Sequence, residues 1–249
     1  MDDVVTIGPV RIARMTATEA RDAIVAALDA PAPLCVAFCN AHTAKLAFDQ
    51  PAFATTMGGM LVLNDGVGID LAARALGYGR FPDNLNGTDF VPAFLRDCPR
   101  PLNLFLLGAK PDVLRRAEAA IAERYPRHRI VGVHDGYFAD VDLAVIADAI
   151  AAREPDMVLC AMGNPRQEMV IAALAERRAA RVLVGVGALF DFLADAVPRA
   201  PLWVRRLRME FLYRLAQEPR RLGRRYTIEI LEFLTAIARL RLSGATRNG

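Results

Sequence analysis

Short apolar runs alternate along this chain with longer stretches in which apolar residues recur every three or four positions. The runs Leu34–Cys39, Met60–Leu63, Asn103–Leu107, Ile130–Val133, Met157–Met162 and Val182–Val186 are rich in Val, Leu and Ile. Gly, Asn or Pro flank them, and together these features predict strands. Helical periodicity fills the gaps. Thr16-Ala17-Thr18-Glu19 is a capping box that opens a helix to about Leu28. Pro111 suits the first turn of a helix to about Tyr125. Asp140 or Asp142 can cap Leu143–Arg153, and Asn164-Pro165 opens a helix to about Arg178. Strand and helix in this rhythm predict an α/β fold, a Rossmann-like, mostly parallel sheet with helices on both faces. The expected catalytic domain spans residues 1–198, with a possible sub-boundary near 99–101. Residues 199–249 form a helical appendage.

In such sheets ligands bind at the carboxyl ends of the strands. The turns there carry small and polar residues: Asn40-Ala41-His42-Thr43, Asn64-Asp65-Gly66-Val67-Gly68, Gly108-Ala109-Lys110, Gly163-Asn164-Pro165-Arg166-Gln167-Glu168 and Gly187-Ala188-Leu189-Phe190-Asp191. Gly108, Gly163 and Gly187 would let backbone N–H groups approach a phosphate, with a helix behind each turn. As a set these turns predict a nucleotide-diphosphate pocket. Taken singly, each is also an ordinary βα turn. Asn40 and Thr43 can hydrogen-bond sugar hydroxyls or cap a helix. Gln167 can hold the donor through its amide, or sit solvated in a first turn. Glu168 favours a positive helix N-terminus. Asp191 can contact a nucleotide or cap, and Lys110 is a further phosphate candidate. No G-x-G-x-x-G follows a strand, which argues against a dinucleotide oxidoreductase. Asp140-Val141-Asp142 spells D-x-D, but helix capping explains both aspartates.

Composition narrows the classes. The chain has 249 residues, 54% hydrophobic and 24% charged, as a folded globular protein does. Its acidic opening and the lack of any uncharged stretch beyond 15 residues predict neither a secretory signal nor a membrane span. Cys35, Cys39, Cys98 and Cys160 form no C-x-x-C and read as buried thiols of a reducing cytosol. His42, His128 and His134 lack metal-ligand spacing, so no metal site is expected.

Charge is distributed unevenly. Residues 199–225 hold nine arginines against Glu210 and Glu218, an excess of seven, while the whole chain is only +3. Such polarisation points to an anionic partner. Pro219 divides this segment. Beyond it Arg220, Arg221, Arg224 and Arg225 form one helical stripe. Leu222, Tyr226, Ile230, Phe233, Ile237 and Leu240 form the roughly opposite one. A helix of this kind can lie on an anionic membrane surface. It can equally pack its apolar face on the core and aim guanidinium groups at a diphosphate.

The stretches Asn64-Asp65-Gly66-Val67-Gly68, Gly87-Thr88-Asp89, Gly163-Asn164-Pro165-Arg166-Gln167-Glu168 and Gly185-Val186-Gly187-Ala188-Leu189-Phe190-Asp191 occur in that order. Arg199-Ala200-Pro201, Glu210-Phe211-Leu212-Tyr213-Arg214-Leu215 and Glu218-Pro219-Arg220-Arg221 follow. Together they resemble the WecG/TagA/CpsF family of bacterial glycosyltransferases, over about Asn40 to Tyr226. The resemblance implies an inverting, metal-independent transferase without cofactor. It would move a hexose, N-acetylmannosamine-type or related, from a UDP-sugar to a polyprenyl-diphosphate-linked saccharide in surface-polysaccharide or wall-polymer synthesis. It further implies a cytoplasmic protein, peripheral at the inner membrane face, that tends to form homo-oligomers. Asp65 matches the family's catalytic aspartate; its turn otherwise reads as a tight bend. Thr88 and Asp89 join the substrate set, and Arg214, Arg220, Arg221 and Arg224 would meet acceptor diphosphate or membrane. One departure stands out. Where the family often has a basic residue ahead of G-T-D, this chain has Asn84, and Arg80 is the nearest cation before it. The rival readings are a soluble UDP-sugar-modifying enzyme such as an epimerase, or a nucleic-acid-binding protein. The second conflicts with an aromatic content of 7%.

Overall fold

The computed structural model describes residues 3–197, 200–201, 213, 215–216, 223 and 227–243. A two-stranded antiparallel hairpin, β1 (Val4–Ile7) and β2 (Val10–Ala13), opens the chain. A six-stranded sheet follows, built from β3 (Leu34–Cys39), β4 (Leu61–Asn64), β5 (Asn103–Gly108), β6 (Arg129–His134), β7 (Met157–Ala161) and β8 (Val182–Gly185). Its order is β4-β3-β8-β7-β5-β6, and every neighbouring pair is parallel. All six predicted strands form, within a residue of their expected ends. The hairpin was not expected. Its alternating burial shows one face on the core and the other towards solvent.

A parallel sheet is apolar on both faces because its crossover helices cover both. The strands show this residue by residue. Val36, Phe38, Leu104, Leu106, Met157, Leu159, Val182 and Val184 enter one cluster, with α1 (Ala17–Ala27), α5 (Gly87–Asp97), α6 (Pro111–Arg124) and α9 (Leu189–Leu193). Cys35, Phe105, Leu107, Val158, Cys160 and Leu183 face the opposite side, towards α7 (Leu143–Ala151) and α8 (Arg166–Glu176). Ala37, Cys39 and Val62 face that side too. There α2 (Ala41–Asp49), α3 (Pro51–Gly58), α4 (Val67–Ala75) and the hairpin cover them. The first cluster joins residues from both sides of Pro99–Pro101.

Local chemistry sets the helix ends. Thr16 and Glu19 form the predicted reciprocal capping box on α1. Asn40 caps α2 and Asn86 caps α5 through their side-chain oxygens. Asp140–Asp142 is instead a single 3-10 turn, and neither aspartate makes a side-chain cap bond. The capping explanation of D-x-D is therefore corrected: Asp140 pairs with Arg166 at 3.2 Å. All four cysteines are buried and free.

The last described helix, α10 (Ile228–Ser243), carries part of the predicted apolar stripe. Phe233 and Ile237 are buried in the cluster that holds α2 and α4. Glu229 meets His42 Nδ1 at 2.6 Å, and Glu232 meets Lys45 at 3.2 Å. Of the two fates foreseen for this stripe, packing on the core is the one realised in α10. Phe233 and Ile237 are covered by protein there, while Leu222 and Tyr226 lie outside the described residues. Arg214, Arg220, Arg221 and Arg224 lie outside the described residues.

Truncating Phe233 to Ala should lower stability by about 3–5 kcal/mol, the usual cost of emptying a buried phenyl site. Leu242→Ala, at a side chain 87% exposed on the same helix, should change it by less than about 0.5 kcal/mol. Denaturant titration of both variants checks the contrast. Equal, small losses would mean that α10 does not pack as described.

Candidate active site

The register brings the carboxyl ends of five strands into line. Cys39 pairs with Asn64, Cys160 with Gly185, and Gly108 with Ala161. The chain leaves β5 and β8 towards one face of the sheet, through α6 and α9. It leaves β3 and β7 towards the other, through α2 and α8. Where neighbouring connections diverge, such folds usually hold their ligand in a crevice beyond the strand ends.

Asp65 sits just beyond β4 and is half-buried. Its N–H donates to the Cys39 carbonyl at 2.8 Å. Asn40 Nδ2 donates to its carboxylate at 3.3 Å. The Asn40 oxygen meanwhile accepts from the Thr43 N–H at 3.1 Å and from its hydroxyl at 3.3 Å. One asparagine thus caps α2 and contacts Asp65, and the structure brings Asn40, Thr43 and Asp65 together. Thr43 is fully buried, so its hydroxyl serves the cap rather than an open surface.

Thr88 and Asp89 open α5 beside the same strand ends. The Leu85 N–H donates to the Asn64 carbonyl at 3.0 Å, and the Gly87 position abuts the Phe38 ring. Thr88 Oγ1 and the Asp89 N–H both donate to Asn86 Oδ1, at 2.8 and 2.9 Å. Asn84, where the family often has a cation, accepts from the Gly66 N–H at 2.7 Å. It holds the backbone of the turn carrying Asp65, a role that its missing charge concealed. Arg80 is exposed between α4 and α5, and its carbonyl accepts from Arg14.

Gly108, Gly163 and Gly187 all have positive φ, at 117°, 74° and 54°. At Gly108 glycine is obligatory, since a Cβ would lie 2.3 Å from the Ala161 carbonyl oxygen. Lys110 is exposed at the start of α6. Asp191 lies half-buried in the first turn of α9.

Of the two alternatives for Gln167, the solvated first-turn residue is corrected. It is 3% exposed, and both ends of its amide are engaged. Its Oε1 accepts from the Gly187 N–H at 3.1 Å, and its Nε2 donates to Glu168 Oε1 at 2.8 Å. Glu168 is the residue that sequence reasoning missed. It is completely buried, and Asn164 Nδ2 also donates to its Oε1, at 2.6 Å. Oε2 is buried and has no hydrogen-bond partner among the described residues. Burial pushes this carboxyl from its ordinary value of 4.5 to about 7, against the opposing pull of Gln167, the backbone and Asn164. A clue was present: Asn164 and Glu168 are four residues apart, ahead of the apolar run Met169-Val170-Ile171.

Sequence comparison then gives the class of protein. The model of the glycosyl transferase WecG/TagA/CpsF family matches residues 5–247. The chain belongs to that glycosyltransferase family. It is 34% identical over 181 residues to the N-acetylglucosaminyldiphosphoundecaprenol N-acetyl-beta-D-mannosaminyltransferase of Bacillus subtilis (strain 168), covering 72% of this chain and 70% of that one. It is 31% identical over 177 residues to the protein of the same name from Bacillus spizizenii, covering 71% and 67%. The nucleic-acid-binding and epimerase readings are set aside accordingly. In a glycosyltransferase a half-buried carboxyl group can act as a base, and glycine turns at strand ends can present backbone donors to an anionic leaving group. Among the described residues no cluster of His, Cys, Asp and Glu could hold a metal ion.

The raised Glu168 carboxyl has a definite sign. The folded protein keeps this proton where the unfolded chain has released it. Stability from this group is therefore full below pH 4.5, declines as pH rises to about 7, and is level above. The decline is on the order of 3 kcal/mol. Glu168→Gln should abolish it, so the stability difference between wild type and variant should change across pH 4.5–7 and not above pH 8. Urea unfolding across pH 4–9 checks this, and a parallel pair of curves would refute it.

Proposed function

We propose that this glycosyltransferase moves an N-acetylmannosamine-type hexose from a UDP-sugar to a polyprenyl-diphosphate-linked saccharide, in one inverting step and without a metal ion. The observation that carries the reading is the place of Asp65: half-buried just beyond the carboxyl end of β4 and beside Asn40. The two relatives, named for transfer of an N-acetylmannosaminyl group to a diphosphoundecaprenol-linked N-acetylglucosamine, support the acceptor class.

In this mechanism Asp65 accepts the proton of the acceptor hydroxyl. That oxygen forms a bond to the anomeric carbon of the donor. The bond from the anomeric carbon to the diphosphate oxygen breaks, and its electron pair leaves with UDP. Attack opposite the leaving group inverts the anomeric centre. A lone carboxylate base suits such a displacement. The growing negative charge on UDP falls among the turns at Gly108, Gly163 and Gly187, where backbone N–H groups can approach closely.

The acceptor's lipid confines it to a bilayer, so the enzyme must work at a membrane surface. Among the described residues no helix is long and apolar enough to cross one. The arginine excess of residues 199–225 offers the attraction to anionic lipid or to the acceptor diphosphate that peripheral binding needs.

The test is UDP release from a panel of UDP-sugars, with and without detergent-dispersed polyprenyl-diphosphate-N-acetylglucosamine. UDP should appear only with this acceptor and one donor, together with a larger lipid product. Asp65→Asn should lower turnover about 10²–10⁴-fold while melting like wild type. Near wild-type turnover in a folded Asp65→Asn protein would remove Asp65 as the base. Silence across the panel combined with no UDP binding by calorimetry would overturn the donor class.

A further inference from the structure

Two turns at the strand ends, after β7 and after β8, are joined by a continuous chain of hydrogen bonds that runs through the buried Gln167 and Glu168. Asn164 Nδ2 and Gln167 Nε2 converge on Glu168 Oε1, and Gln167 Oε1 receives the Gly187 N–H. The chain fixes the sense of the Gln167 amide from both ends. An ionised carboxylate is acceptor-only, and a backbone N–H is donor-only. Turning the amide over would set oxygen against the carboxylate and the NH₂ against the Gly187 N–H. The Gly187 N–H would then lose its acceptor, and Glu168 Oε1 would keep only the bond from Asn164.

Packing closes the same joint. A Cβ at Gly185 would lie 2.9 Å from Gln167 Nε2 and 3.2 Å from its Cδ. The bare Cα of Gly185 leaves the room in which the amide crosses from α8 to the turn after β8. Beyond that bond Gly187 takes a left-handed φ of 54°, a conformation open mainly to glycine.

We propose that Glu168 is a positioning residue for sugar transfer: acting through Gln167 on the Gly187 backbone, it sets the spacing of the turns after β7 and β8 that receive the donor's nucleotide diphosphate. The assignment rests on the nucleotide-sugar reading above. Its distinctive content is that Glu168 has no direct contact with the donor, and that its influence passes through one amide. Protonation on Oε2 leaves Oε1 free to accept, so the brace persists in either charge state. That is compatible with a carboxyl whose ionisation burial opposes.

A double-mutant cycle on UDP binding, read by calorimetry, tests this in the full-length protein. Gln167→Ala and Glu168→Ala should each weaken UDP by about tenfold or more. The double variant should be no weaker than the worse single one, because both changes cut the same path. Glu168→Gln retains an acceptor oxygen and should recover affinity to within about threefold of wild type. Gly185→Ala displaces the amide from the other side and should reproduce the loss with Glu168 intact, which keeps the test open where Glu168→Ala does not fold. Additive losses in the cycle, or an unchanged affinity in folded Glu168→Ala, would overturn the proposal. A wild-type protein that binds no UDP would instead refute the nucleotide-sugar reading on which it rests.

Discussion

A parallel sheet has to be covered on both faces, and this requirement organises the molecule. Each strand of the six is followed by a helix or turn that leaves towards one face or the other. Because all strands point the same way, all of these departures occur at one edge. The backbone there is outside the ladder, and its N–H and C=O groups need partners. Asparagine and glutamine side chains fill that need repeatedly: Asn40 at α2, Asn84 at the Asp65 turn, Asn86 at α5, Gln167 at Gly187. The polar chemistry at the strand ends is thus the means by which the sheet edge is satisfied as well as the means by which a sugar donor would be met.

This double use explains which parts of the design were legible. The six strands of the sheet read clearly because burial on both faces leaves unbroken apolar runs between turn residues. The hairpin was overlooked although Val4–Ile7 and Val10–Ala13 alternate as half-buried strands do, separated only by Gly8-Pro9. Four helices, α2 to α5, escaped for a different reason. They are short, and α5 begins at a glycine and contains Pro92, so its propensity argues against it. Tertiary packing overrides that preference, with Phe90, Val91, Phe94 and Leu95 buried against the sheet.

The site divided along the same line. The three glycines lie at strand ends, where topology places them, and Asp65, singled out by the family resemblance, lies at another. Positions fixed by long-range packing could not be named in advance. Glu168 sits in the first turn of α8, where an acid ordinarily favours the helix dipole from solvent. Its burial arises because α8 packs across β3, β7 and β8, a fact absent from local sequence. The burial of Gln167 has the same origin. Asn84 was weighed only for the charge it lacks, while its value lies in one bond to the backbone of Gly66.

Two carboxyl groups therefore share one sheet edge in unlike surroundings. Asp65 is half-exposed with an amide beside it; Glu168 is fully enclosed and holds its proton to about pH 7. Cys39, at the end of β3, feels both of them, and their negative charge adds to burial in pushing its thiol up. On the nucleotide-sugar reading proposed above, this edge would accept a doubly phosphorylated donor and is a poor place for two fixed negative charges, since each would repel the incoming anion. Enclosing one of them resolves the conflict. Glu168 can serve as a hydrogen-bond hub while contributing less than a full charge at neutral pH, and on the same reading Asp65 is the carboxyl group that meets the acceptor hydroxyl. Environments that separate two similar groups in this way are how a single fold assigns them different tasks.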